Sequence, residues 1–160
     1  MANEEFKNTV LSDHPNKIKH ITRKEFENLK LLINELKLEN RVILTGYKDK
    51  KEIERYMLKS SLFLMASETE GLPMVLLEAM SYGIPCIAYE TASGINDIII
   101  SDKNGYVVKD RNEEEYISKI NQVIDNEQLR KKLGKNAKDT AYQFSEEKIL
   151  KIWYDILKEV

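Results

Sequence analysis

Apolar residues along this chain follow two patterns, short continuous runs and longer runs in which they recur every three or four positions. Continuous runs are typical of buried strands, and the spaced runs are typical of amphipathic helices. The strand-like runs lie at 41–45, 62–66, 85–89 and 106–108. The helix-like runs lie at 23–37, 50–60, 73–82, 94–100, 112–125, 126–143 and 145–158.

Strand-like and helix-like runs alternate as far as Arg111, and the pattern beyond it is entirely helical. Short strands that are apolar on both faces indicate a parallel sheet covered by helices. The sequence therefore predicts an α/β fold, with a parallel sheet flanked by helices and a helical C-terminal tail. We expect one domain over residues 23–160, preceded by an irregular segment over residues 1–22, which is polar and contains the helix breaker Pro15.

Composition excludes several classes of protein. The 25 Lys and Arg residues nearly balance the 27 Asp and Glu residues, so no global field favours nucleic acid. No apolar run reaches the roughly 18–20 residues that a membrane-spanning helix needs. The single cysteine, Cys86, lies in an apolar run and is predicted to be a buried core residue, which fits a cytoplasmic protein. His14 and His20 form no cluster with metal-binding spacing, so we expect no structural zinc.

The segment between the runs at 62–66 and 73–82 is the main candidate for a ligand site. A loop that joins a strand to a helix at the carboxyl edge of a parallel sheet is where α/β proteins hold anionic ligands. Pro73 suits the first helical position, because it has no N–H group to satisfy there. The amides from Met74 onward would then be available to face a phosphate.

Two carboxylates flank this helix start. Glu70 lies in the loop before it, and Glu78 projects from the second turn, on the side opposite the predicted buried face. Carboxylates accept hydrogen bonds from vicinal hydroxyls, so a nucleotide sugar fits, with its diphosphate between ribose and donor sugar. Alternatively, Glu70 is only a partner of the helix dipole, worth about 0.3–1 kcal/mol, and Glu78 is a solvated surface residue. Spacing leaves both interpretations open.

The stretch from Glu70 to Ala88 reads EGLPMVLLEAMSYGIPCIA. It closely resembles the Glu-x7-Glu signature of the group 1 (family 4) retaining glycosyltransferases. The segments that resemble the same family, in the same order, are 41–47, 61–67, 93–99 and 103–108. The resemblance implies the C-terminal half of a GT-B fold, a Rossmann-like domain that binds the sugar-nucleotide donor.

The resemblance implies roles for the residues of the loop and helix start. Glu70 would be the catalytic residue and bind hydroxyls of the transferred sugar, whereas Glu78 would bind the ribose hydroxyls. Backbone amides of the same segment would hold the diphosphate or the sugar. The residues of this segment are Gly71, Leu72, Pro73, Met74 and Val75. No metal or other cofactor is implied, because the helix N-terminus and cationic side chains stabilise the leaving diphosphate.

Two further pairs of residues would complete the site. Gly46 and Tyr47 would border the nucleobase, and Ser93 and Gly94 would touch phosphate or sugar. Each pair also has a simpler explanation. Tyr47 can merely cover the edge of the sheet, and Ser93 or Gly94 can cap the helix that follows.

Two departures from the family pattern bear on activity. Family members contain two similar domains, and this chain is long enough for only one, so we expect it to lack the acceptor domain. The Gly-Arg…Lys segment that usually opens the donor half also has no match before Arg23. We therefore expect the isolated chain to be inactive without an N-terminal acceptor domain. For the full-length enzyme we expect a cytoplasmic location, with peripheral association at the inner face of the membrane.

The last helix-like run carries Trp153 on an apolar stripe, so this residue is predicted to pack in the core. The last helix of GT-B enzymes commonly crosses back to the other domain. By that resemblance, part of the stripe would be exposed here.

Three functions are compatible with these observations to different degrees. The leading hypothesis is the donor-binding domain of a hexosyltransferase that moves a sugar, with retention, to a glycan or lipid-linked acceptor in cell-surface polysaccharide synthesis. The alternative is a stand-alone, non-catalytic module that binds nucleotide sugars. A signalling domain of the response-regulator type is disfavoured. Such a domain needs an acidic cluster at a strand end and a downstream lysine, and we do not find this arrangement in the sequence.

Overall fold

The computed structural model describes residues 9–11, 23–67, 71–90 and 94–158. Contacts divide the chain into two compact units, Met1–Ser60 and Ser61–Val160. The single domain predicted over 23–160 spans this division.

In the part of the first unit that the structure describes there are two strands and two helices. They are β1 (Thr9–Leu11), α1 (Arg23–Glu35), β2 (Val42–Leu44) and α2 (Lys50–Lys59). β1 and β2 pair in parallel, with Val10 opposite Ile43. The three residues of β1 lie in the segment 1–22, which was predicted to be irregular. They form a strand instead, since Thr and Val favour extended backbone, and the rest of the segment lies outside the described residues.

The second unit contains the larger sheet and most of the helices. Its elements are β3 (Phe63–Met65), α3 (Met74–Ser81), β4 (Cys86–Tyr89), α4 (Ile95–Ile98), β5 (Gly105–Val108), α5 (Glu113–Asp125), α6 (Glu127–Gln143) and α7 (Glu146–Lys158). The three strands are parallel, in the order β3-β4-β5. The predicted α/β class, with a parallel sheet flanked by helices and a helical C-terminal end, is confirmed.

β4 is the central strand, and its residues are buried on both faces. Cys86, Ile87 and Ala88 are fully inaccessible to solvent. Burial raises the pKa of the Cys86 thiol, so the prediction of an inert core cysteine is confirmed for its environment. A fully apolar central strand is expected where helices cover both faces of a parallel sheet.

Two asparagine side chains cap the starts of α5 and α6. The Asn112 side chain accepts a hydrogen bond from the Glu115 amide at 3.2 Å, and Asn126 accepts one from the Leu129 amide at 2.9 Å. Such N-caps satisfy first-turn amides that have no partner within the helix. Asn126 therefore starts α6 directly after α5 ends.

α3 and α6 pack together at two glycines. A methyl group on Gly134 would overlap the carbonyl oxygen of Gly83 and lie 3.3 Å from its carbonyl carbon. Gly83 has a φ of 76° and follows the C-cap residue Tyr82. The prediction that Gly83 ends this helix at C′ is therefore confirmed.

α7 has no buried residue in its described length, and Trp153 is 58% exposed. The prediction that Trp153 packs in the core is therefore wrong. A helical period identifies an apolar face but not the surface that covers it, and the described residues provide no such cover. Among the described helices, none combines the length and the apolar character needed to cross a membrane.

Asn104 is the buried polar residue at the turn predicted before β5. Its Oδ1 accepts a hydrogen bond from the Ile100 amide at 2.8 Å. Its Nδ2 donates to the Ile98 carbonyl at 3.0 Å and lies 2.9 Å from Thr140 Oγ1 on α6. One side chain thus joins the end of α4, the turn and α6.

We predict that Asn104→Ala lowers the free energy of unfolding by more than about 2 kcal/mol, since each buried group left without a partner costs about 1–3 kcal/mol. Urea denaturation measures this loss. Asn136→Ala is the matched control, because Asn136 donates one hydrogen bond, to the Lys103 carbonyl at 2.7 Å in an exposed position. Equal losses in the two variants would contradict the prediction.

Candidate functional site

The candidate site lies at the carboxyl ends of β3 and β4, where the chain continues toward α3 and α4. The structure describes this region from Gly71 to Glu90 and again from Gly94. Two residues predicted to belong to the site, Glu70 and Ser93, lie outside the described residues.

Pro73 is the N-cap residue of α3, with φ −77° and ψ 86°. The sequence predicts Pro73 to be the first helical residue, so the predicted helix begins one residue too early. The difference arises because a ψ of 86° is not helical, although the φ fixed by the ring suits both positions. The Pro73 carbonyl accepts a hydrogen bond from the Leu76 amide at 2.9 Å, which closes the first turn.

The start of α3 presents backbone amides rather than side-chain caps. The first amides of a helix have no acceptor within the helix, and no side chain of the described residues caps this end. The residues on either side of the N-cap, Leu72 and Met74, are 50% and 63% exposed. Pro73 between them is buried. An anion at these uncapped amides would be stabilised by the positive end of the helix dipole.

The faces of α3 are divided as the helical period predicts. Leu76, Ala79 and Met80 are fully buried. On the opposite side, Met74 is exposed and Glu78 is partly buried one turn further along. The structure therefore brings a carboxylate and the amides at the helix start to one side of α3.

The two loops at this edge of the sheet touch through their glycines. A methyl group on Gly94 would overlap the carbonyl oxygen of Gly71 and lie 3.2 Å from the Leu72 Cα. Gly94 also has a left-handed φ of 80° and is the N-cap residue of α4. The interpretation of Gly94 as a helix cap is therefore confirmed, and its contact with phosphate or sugar stays a prediction.

A side-chain hydrogen bond that the sequence gave no signal for joins the two sides of the second loop. Asn96 Nδ2 donates to Glu90 Oε1 at 3.0 Å. The Glu90 amide also donates to the Val108 carbonyl at 2.6 Å, which continues the ladder beyond β4. These contacts hold the residues on either side of positions 91–93.

Gly46 and Tyr47, predicted to border a nucleobase, follow β2 in the first unit. Gly46 has a φ of 60°, and Tyr47 is 73% exposed. Their role in a site with α3 stays a prediction.

The described part of the chain contains no set of side chains that could bind a metal ion. No three His, Cys, Asp or Glu side chains there come together in a group that could hold a metal ion.

Comparison with known proteins places this site in context. The family model described as glycosyl transferases group 1 matches residues 13–140. The amylovoran biosynthesis glycosyltransferase AmsD of Erwinia amylovora is 42% identical over 107 residues, which are 67% of this chain and 30% of that protein. The chain therefore spans less than a third of the length of this relative.

Two solved structures share the fold. The structure of Anabaena HepE in complex with UDP-glucose gives a TM-score of 0.74 at 26% identity and covers 87% of this chain and 38% of that chain. The C-terminal domain of the group 1 family protein LpcC from Francisella tularensis gives a TM-score of 0.70 at 25% identity, over 79% of this chain and 64% of that chain. The fold is therefore that of GT-B glycosyltransferases.

We predict that Gly94→Ala destabilises the chain more than Gly83→Ala does. Both glycines have a similar positive φ, so both variants incur the cost of about 1–2 kcal/mol for a left-handed residue with a Cβ. At Gly83 the nearest atom to that Cβ is 3.6 Å away, whereas at Gly94 it overlaps the Gly71 carbonyl. Overpacking should add about 1–3 kcal/mol at Gly94. Urea denaturation provides the comparison, and equal stability of the two variants would exclude the contact between the loops.

Proposed function

Because this chain belongs to the group 1 glycosyl transferases, we propose that it is the domain that binds the nucleotide-diphospho-sugar donor. The whole enzyme would transfer a hexose with retention to a glycan or lipid-linked acceptor, in cell-surface polysaccharide synthesis. The observation that carries the proposal is the start of α3, which has no side-chain cap, with Gly94 packed against Gly71. The role of AmsD in amylovoran biosynthesis supports the choice of polysaccharide synthesis.

A diphosphate would bind at the amides of the segment Gly71–Val75. The dipole of a helix places roughly half a positive charge at its N-terminus, and no acidic residue lies in the first turn of α3 to compete for it. This electrostatic term acts on the leaving diphosphate without a metal ion. We accordingly propose that the domain uses no metal and no cofactor besides the donor itself.

The two carboxylates would bind opposite ends of the donor. Glu78 lies four residues beyond Met74, which is about 6 Å along the helix axis, so a ribose attached to the diphosphate would reach it. Glu70 directly precedes the glycine of the loop, and we propose that it binds the transferred sugar beside the reacting carbon. Gly46 and Tyr47 would border the base, and Ser93 would join Gly94 at the phosphate or sugar.

The acceptor would be bound by a second, N-terminal domain of the full-length enzyme. Two observations support this part of the proposal. The chain spans 30% of the length of AmsD, and α7 exposes an apolar stripe that a second domain would cover. We propose that the full-length enzyme works in the cytoplasm at the inner face of the membrane, where it would meet lipid-linked acceptors.

We predict that Glu78→Ala weakens binding of UDP by about 1–3 kcal/mol, since hydrogen bonds to charged groups have that value. Glu70→Ala should leave UDP binding unchanged and weaken binding of UDP-glucose. Isothermal titration of the chain with both ligands, in the presence of EDTA, tests both statements. GDP and ADP, with their sugars, would be titrated in parallel to identify the base.

The control for these titrations is Glu114→Ala, which removes an exposed carboxylate from the first turn of α5. It should bind both ligands as the unmodified chain does. The assignment of separate donor ends would be wrong if Glu70→Ala and Glu78→Ala lost UDP to the same extent.

We further predict that the isolated chain shows no detectable sugar transfer, whereas the full-length enzyme does. Orienting two reactants in a closed cleft is worth about 7–11 kcal/mol of barrier, and this chain alone would not provide the acceptor side. Labelled nucleotide sugars and candidate acceptors measure the transfer. Comparable rates for the two proteins would refute the requirement for a second domain. Donor binding without transfer by either protein would favour the non-catalytic module.

A further inference from the structure

A buried tyrosine lies beneath the two loops of the candidate site. Tyr116 is in the first turns of α5, and its side chain is 8% exposed. Its hydroxyl lies 3.3 Å from the Met65 carbonyl oxygen and 3.1 Å from the Ile87 carbonyl oxygen. These two acceptors belong to different strands, β3 and β4, so one hydroxyl connects both strands to α5.

The position of these carbonyls follows from the parallel ladder. The Phe63 amide donates to the Pro85 carbonyl at 3.0 Å. In a parallel pair, this pattern of backbone hydrogen bonds repeats every second residue along each strand. The carbonyls of Met65 and Ile87 therefore both point into the space between β3 and β4. The Tyr116 hydroxyl therefore interacts at the seam between the two strands, near their carboxyl ends.

Both strands lead directly to the loops of the site. Met65 is the last residue of β3, and the chain after it reaches the Gly71 loop. Ile87 lies two residues before Tyr89, the end of β4, and the chain after that reaches Gly94. The contact between Gly71 and Gly94 leaves no room for a Cβ, so the two loops tolerate little change in their separation at that point.

A second contact holds the Tyr116 ring in place. It stacks on the Tyr89 ring with centroids 4.4 Å apart and an interplanar angle of 29°. Tyr89 is itself buried at the end of β4. Burial also raises the pKa of Tyr116, so the hydroxyl remains a neutral donor throughout the neutral pH range.

We propose that Tyr116 is a positioning residue of the donor site, whose hydroxyl fixes the spacing of the β3 and β4 ends and thereby holds the Gly71 loop against Gly94. The inference rests on the proposed function insofar as this site binds a donor. It extends that function to a residue in a helix far along the chain from both loops. Tyr116 acts through the backbone and is not itself proposed to touch the donor.

The test is Tyr116→Phe, which keeps the ring and its stacking and removes the hydroxyl alone. Tyr106→Phe is the matched control. Tyr106 is also buried, but it lies in β5, and its hydroxyl interacts with Asp102 in the turn before that strand, at the opposite edge of the sheet. Thermal denaturation of both variants measures the general structural cost of losing a tyrosine hydroxyl.

Two readouts distinguish positioning from stability. Tyr116→Phe should weaken UDP-glucose binding about three- to ten-fold in isothermal titration, the equivalent of one hydrogen bond, and Tyr106→Phe should leave it unchanged. The second readout is the ¹⁵N–¹H NMR spectrum of the chain without ligand. With only six glycines in the chain, the Gly71 and Gly94 signals can be followed individually, and Tyr116→Phe alone should shift them.

The outcomes separate the two proposals. Unshifted Gly71 and Gly94 signals in Tyr116→Phe, or equal shifts in Tyr106→Phe, would overturn the positioning role whatever the ligand does. Unchanged UDP-glucose affinity in Tyr116→Phe, when the unmodified chain binds it, would also overturn that role. If the unmodified chain binds no nucleotide sugar but the glycine signals shift as expected, the donor-binding function fails and Tyr116 still positions the loops.

Discussion

Two loops meet at the carboxyl edge of the larger sheet because Gly94 carries no side chain where it lies against Gly71. A single methyl group would force the two backbones apart. This contact fixes where the chain enters α3, and so fixes the direction in which its first amides point. The proposed anion site depends on this contact, because backbone amides, unlike side chains, cannot adjust to a displaced ligand by changing rotamer.

The direction of α3 is also fixed from the other end. Leu76 and Met80 are fully buried, and the helix ends at Gly83, which lies against Gly134 of α6. Close-packed interiors yield little to small displacements. A helix anchored on its buried face and at its C-terminus can present its N-terminal amides in a preformed arrangement, which is what electrostatic stabilisation of a leaving diphosphate requires.

Much of this arrangement was accessible from local sequence signals. The period of the apolar residues gave the buried face of α3, and glycine at position 83 gave its end. The start of α3 was predicted one residue too early, at Pro73, because the fixed φ of proline suits an N-cap and a first helical residue equally. The three residues of β1 were missed, because so short a run carries no readable period.

The sequence by itself determined the α/β class, the order of the elements from α1 onward and the segment that forms the start of α3, since these follow from periodicity and capping over a few neighbouring residues. Tertiary structure decided what distant residues do to one another. The Tyr116 hydroxyl meets the Met65 carbonyl across 51 positions of sequence, and Gly94 meets Gly71 only when both loops are in place. The apolar stripe of α7 shows the same limit, because a pattern predicts that a face is apolar, whereas the folded partners determine whether it is covered.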